Sequence, residues 1–128
     1  MIDVQGEEVV LAMPATPQLL RVARLTAAGL AGRLGFSFDE IEDVKIAVDE
    51  LCFALVGTHG RAGSLTITYR LEPAQLVIEG IGRFDGKVVT PTPSELSAQI
   101  LSAVVDESSL ALEGDEVRFR LVKRRTGS

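Results

Sequence analysis

Apolar and polar positions change period several times along the chain, and each change predicts an element. Residues 7–13, EEVVLAM, are a short apolar run that reads as a first strand. The spacing then lengthens. Leu19, Ala23, Thr26, Ala27, Leu30 and Leu34 recur at helical intervals, with Thr16 placed as N-cap, Pro17 at the first helical position and Gly35 as the stop. A second helix has the strongest start signal. Ser37 and Glu40 form an S-x-x-E capping box, Phe36 and Ile41 are spaced as a hydrophobic staple, and Asp39, Glu40, Glu42 and Asp43 bring negative charge to the positive end of the helix dipole. Ile41, Val44, Val48, Leu51 and Leu55 give it one apolar stripe, and Gly57 and Gly60 close it.

The period then drops to two. In SLTITYRL, Leu65, Ile67, Tyr69 and Leu71 alternate with Thr66, Thr68 and Arg70, the pattern of a strand with one wet face. EPAQ is a turn and LVIEGIG the partner strand. Thr92, Pro93 and Glu95 repeat the capping logic ahead of a third helix over 93–105, with Leu96, Ile100, Leu101 and Val104 expected inward. SSLALEG and DEVRFRLVKR close the chain as a hairpin that buries Val117, Phe119 and Leu121. The order β-α-α-β-β-α-β-β has hairpins in place of repeated βαβ units. It predicts a two-layer α/β sandwich with a mixed, mainly antiparallel sheet covered on one face by three helices.

Composition narrows the class. With 128 residues and no linker or repeat, the expectation is a single domain over 1–128 with a core that needs no staples. A net charge of −5 and the absence of Trp argue against direct nucleic-acid binding. No apolar run is long enough to span a membrane, and the acidic start is unlike a signal peptide. The single cysteine allows no intrachain disulfide. A cytoplasmic protein is the expectation.

Few residues carry chemistry by themselves. Glu50 shares a helical face with the small residues Ala47, Ala54 and Gly57, about 100° from the stripe of Leu51 and Leu55 by helix geometry. Such a face leaves room for a ligand or a second backbone, and its carboxylate is able to orient a water or accept a proton. From spacing alone, Glu50 reads equally as a solvated helix charge. His59 is a lone histidine without metal-ligand spacing, and Cys52 lies beside the apolar stripe as a small core residue. RLVKRR, residues 120–125, reads as a solvated strand end.

Residues 24–52, RLTAAGLAGRLGFSFDEIEDVKIAVDELC, resemble the RsbW family of bacterial anti-sigma factors, which are also serine kinases with the nucleotide-binding fold of the GHKL group. The resemblance runs through Arg24-Leu25-Thr26, Gly29, Ala31, Arg33, Gly35, EIEDVKIAV, Glu50 and Cys52. Phe84-Asp85, Asp106-Glu107 and the final hairpin extend it weakly. It implies a histidine-kinase-like ATPase fold, ATP and Mg²⁺ as cofactors, Glu50 as the catalytic glutamate and Arg24 as a partner-binding residue. It implies a homodimer to which the first strand and first helix contribute. The implied partners are an alternative sigma factor and an anti-anti-sigma protein of the STAS type.

The same resemblance exposes departures. Ala54 stands where the family has a magnesium-holding Asn, and a methyl group ligates no hard cation. Glu79 stands at the place of the adenine-reading Asp, one methylene longer, and Ile81 at the place of a glycine. A second register takes Gly80 and Gly82 as the glycines. The family's glycine-rich lid has no counterpart, since no glycine lies between Gly86 and Gly114, prolines donate no N–H, and Glu95 repels phosphate. The expectation is an anti-sigma-like regulator with a degenerate nucleotide site (Glu50, Ala54, Glu79, Ile81), no metal site of its own, and ATP and Mg²⁺ binding weak or lost. The alternatives are an active serine kinase and a structural partner of an intact paralogue.

Overall fold

The computed structural model describes residues 7–57, 60–86 and 93–126. Five strands and three helices follow in chain order: β1 (Glu7–Pro14), α1 (Leu20–Arg33), α2 (Phe38–Val56), β2 (Gly63–Glu72), β3 (Gln75–Phe84), α3 (Glu95–Val104), β4 (Glu107–Glu113) and β5 (Glu116–Arg124). The sheet has the order β1-β2-β3-β5-β4, and all four strand pairs are antiparallel. The mixed sheet expected from the sequence is therefore purely antiparallel. β2–β3 and β4–β5 are hairpins, and the β1–β2 and β3–β5 pairs are antiparallel as well.

The core lies between the helices and one face of this sheet. Leu65, Ile67, Tyr69 and Leu71 of β2, Leu76 and Ile78 of β3, and Val117, Phe119 and Leu121 of β5 are buried against Val44, Val48, Leu51 and Leu55 of α2 and Ala23, Ala27 and Ala31 of α1. Alanines on α1 let its backbone approach closely. The Tyr69 hydroxyl donates to the Ala23 carbonyl at 2.8 Å, which joins the centre of the sheet to α1 and satisfies that buried hydroxyl. Burial raises the Tyr69 phenol well above its ordinary pKa.

The capping box of α2 is formed as the sequence predicts. Glu40 N–H donates to Ser37 Oγ at 3.1 Å, and Ser37 N–H donates to Glu40 Oε1 at 2.8 Å. Glu40 does more than cap. Its Oε2 also accepts from the N–H and hydroxyl of Thr126, at 2.7 and 2.8 Å, which pins the segment after β5 to the start of α2.

Three expectations are corrected. Thr16 makes no side-chain cap. Pro17–Leu19 forms a separate 3₁₀ turn, and α1 starts at Leu20, because the proline ring fixes a tight turn before the helix proper. The cap of α3 is Ser94, whose Oγ accepts from Ser97 N–H at 3.0 Å, while Thr92 lies outside the described residues. Leu96 points outward, 66% exposed, because α3 packs along the side of α2 and turns chiefly Leu101 into the core.

Cys52 is fully buried on α2, and burial, with the nearby Asp49 charge adding, pushes its thiol up to about 12. The thiolate is the reactive form. The folded protein at pH 8 is therefore expected to leave a colorimetric disulfide reagent untouched, and the same protein in strong denaturant to react with one equivalent per chain.

Candidate functional site

Glu50 and Ala54 lie one turn apart on α2, both half-buried, on the side where α3 packs. Glu50 accepts a hydrogen bond from the Ser97 hydroxyl in the first turn of α3. At the other end of α3, Lys123 donates to the Val104 carbonyl at 2.8 Å and pairs with Asp43 of α2 at 3.3 Å. The helix is thus tied to α2 at both ends, running antiparallel to it, with its N-terminal turn against Glu50. Ala47 does not belong to an open face: it is fully buried in the core, so the small-residue surface read from the sequence is divided. Arg24 of α1 pairs with Asp49 of α2 at 3.0 Å, both side chains about one-third exposed, a bond that links two helices and stabilises by at most about 1 kcal/mol.

The structure does not bring Glu79 and Ile81 to this place. Strand alternation decides it. Ile78 pairs with Tyr69, whose hydroxyl reaches α1, so Ile78 faces the helices and its neighbour Glu79 faces away from them. Glu79 lies between Thr68 and Arg120 in the ladder and is ion-paired with Arg70. Both Glu79 and Ile81 line a shallow groove of about 420 Å³ on the outer face, together with Arg70, Arg118 and Arg120. On that face Glu116 takes hydrogen bonds from Arg118 at 2.6 Å and Arg83 at 2.5 Å, which hold its carboxyl below the usual range. The sheet thus separates the two halves of the expected nucleotide set.

The helix-facing residues of the same segment are Gly80 and Gly82. A Cβ on Gly80 would fall within 2.6 Å of Phe119 Cζ, and one on Gly82 within 2.6 Å of two Phe84 ring carbons and 3.5 Å of Leu55. The room left by the two glycines is filled by the protein's own aromatic rings. Arg61 lies over the Phe84 ring, 4.4 Å from its centroid, and donates to the Leu55 carbonyl at 3.0 Å, which fastens that ring to the end of α2. Phe84, Phe119, Arg61 and Ser97 join the site only through the fold. The contact of Ser97 with Glu50 spans 47 residues and leaves no local signal in the sequence. Gly80, spaced by two from Gly82, did carry one, since a glycine inside a strand marks a close approach.

His59 and the residue before it, and most of the expected lid, lie outside the described residues. Among the described residues, no cluster of three or more His, Cys, Asp or Glu side chains is placed to hold a metal ion, and no helix is long and apolar enough to cross a membrane.

An antiparallel sheet with three helices on one face, and a capped second helix carrying Glu50 toward the third, defines a two-layer α+β domain. A solved structure shares this fold: that of the RsbU and RsbW domains of Rv1364c from Mycobacterium tuberculosis superimposes with a TM-score of 0.70. The match covers 94% of this chain and 32% of that one at 17% identity. In sequence, the serine-protein kinase RsbW of Halalkalibacterium halodurans is 38% identical over 68 residues, 52% of this chain and 42% of that protein. RsbW of Bacillus cereus is 38% identical over 74 residues, 56% and 46% of the two chains. No protein-family model matches. The chain is similar to these RsbW proteins over about half of its own length, and the match spans less than half the length of these curated relatives.

Proposed function

We propose that this protein is an anti-sigma regulator that acts by binding and partner exchange, in the cytoplasm, with a nucleotide site too degraded for kinase turnover. It would hold an alternative sigma factor and release it to a STAS-type anti-anti-sigma protein, as a homodimer built with β1 and α1. The observation that carries the loss of the nucleotide site is the filling of the glycine gap by Phe119 and Phe84. A planar base entering beside Gly80 and Gly82 would collide with two rings that are themselves packed against the core. Two further features support the reading. Ala54 offers no oxygen to Mg²⁺. Glu79, the acid at the base-reading place, faces the other side of the sheet in an ion pair with Arg70. These residues do not fit a magnesium nucleotide, so no phosphoryl-transfer step is derived.

A second reading, an active serine kinase, is favoured by one observation: Glu50 is held by a serine hydroxyl, the contact a general base makes with its substrate. Calorimetry separates the two. Titration of ATP with Mg²⁺ into folded protein is expected to give no heat up to millimolar nucleotide. Micromolar binding would overturn the proposal and promote the kinase, to be followed by Ala54→Asn with a candidate anti-anti-sigma substrate.

A further inference from the structure

The outward side of the helix layer carries large apolar side chains that the fold does not use. On α2, Ile46 and Phe53 are 41% and 46% exposed, and seven residues apart they lie on the same face. The two ties of α3 to α2, Ser97 to Glu50 and Lys123 joining Val104 to Asp43, set the register of the two helices. That register brings the exposed Leu96 to the turn of α2 that carries Glu50 and Phe53. Ile46 and Phe53 thus share the outward face of α2, and Leu96 is the exposed neighbour of Ser97, which is bonded to Glu50 on that helix.

The charge on the two helices that carry these side chains is almost all of one sign, with the bases Arg21 and Arg24 of α1 on the other side of α2. The two helices carry Asp39, Glu40, Glu42, Asp43, Asp49, Glu50 and Glu95 against a single base, Lys45. Lys45 is taken by Glu42 at 3.2 Å, and Asp49 is taken by Arg24. Among the described residues, Glu50 and Glu95 have no ion-pair partner, and they flank Phe53 and Leu96. An apolar patch with uncompensated carboxylates at its edge selects a ligand with apolar anchors and basic flanks.

The geometry points to a docking surface for a basic amphipathic helix of a partner protein, seated on Ile46, Phe53 and Leu96 with its lysines or arginines over Glu50 and Glu95. The three apolar anchors lie away from the glycine gap, and Glu50 is the one residue shared with the candidate nucleotide site.

The test uses a short helical peptide of leucine and lysine in amphipathic order, and a leucine–glutamate peptide of the same length. Binding is followed on the amide resonances of the full chain. The basic peptide is expected to shift signals around Ile46, Phe53 and Leu96. The Phe53→Ser/Leu96→Ser variant is expected to bind it about tenfold more weakly, and Glu95→Lys to weaken it as well. Urea midpoints check that both variants remain folded. Equal binding of the acidic peptide, shifts centred elsewhere, or unchanged affinity in the serine variant would overturn the proposal. So would self-association of the wild type that the serine variant abolishes, since the occupant would then be a second copy.

Discussion

Gly80→Ala is expected to cost the protein roughly 2–3 kcal/mol, read as a lower urea midpoint and a melting temperature lower by about 10 °C. The added methyl would meet the Phe119 ring, and that ring has nowhere to go, being buried opposite Gly80 in the β3–β5 ladder. For a domain whose whole stability is about 5–15 kcal/mol, this is a large fraction. A companion variant identifies the cause. Phe119→Leu alone should destabilise by leaving space. Combined with Gly80→Ala, it should cost less than the sum of the two, because the leucine vacates the volume that the methyl needs. Simple additivity would mean that the strand, not the ring, resists the alanine. In the proposed reading, the ring that resists the methyl is the same one that would keep a base from this place.

Glu40→Ala is expected to be comparably harmful, by a different mechanism. Its carboxylate takes donors from Ser37 N–H, Thr126 N–H and the Thr126 hydroxyl, and the first two of these do most to hold its pKa down to about 2. The folded value lies below the unfolded one of about 4.5, so the contribution is complete above about pH 4.5 and disappears as the pH falls toward 2. A depression of this size corresponds to at most about 3 kcal/mol at neutral pH, reduced by whatever solvent screening reaches the carboxylate. Glu40→Gln keeps the shape and removes the charge. The gap in unfolding free energy between wild type and Glu40→Gln should therefore be widest at neutral pH, shrink through about pH 4 to 2, and close below the folded pKa of about 2. A gap independent of pH would show that Glu40 acts through packing alone.

The fold was legible because its signals are local. The capping box at Ser37 and Glu40, the alternation in β2 and the stripe of α2 each follow from periods of two or 3.6, and the structure forms all three. The errors fall where a residue's role depends on distant chain. Leu96 has the right spacing to face inward, but α3 lies beside α2, and the face that meets the core is narrower than the apolar stripe. The hydroxyl of Thr16 was expected as a cap, yet the ring of Pro17 set the turn before it was needed.

The candidate site was less legible, and Glu79 shows why. A one-residue offset in a strand turns a side chain to the opposite face of the sheet. Placing Glu79 by its match to a motif, with no independent marker of its face, put it beside Glu50. The ladder puts the sheet between them. The marker was available: Ile78 and Leu76 continue the apolar face of the hairpin, and Glu79 falls on the alternate positions with Arg83. Glu50 was located from the sequence on α2, but its partner Ser97 came from an element whose docking no local pattern specifies.

The strand order also bears on how fast the chain finds its shape. Two hairpins, β2–β3 and β4–β5, close over short turns, whereas β1 pairs with β2 from Met13 against Leu65 to Glu7 against Leu71, with both long helices in between. Closing that loop costs entropy before any ladder bond compensates for it. Until the α1–α2 pair has collapsed onto β2, the first strand has no surface to join. The N-terminal edge of the sheet, where the proposed dimer would form, is therefore expected to assemble late, and a chain emerging from the ribosome has no such edge before β2 is made.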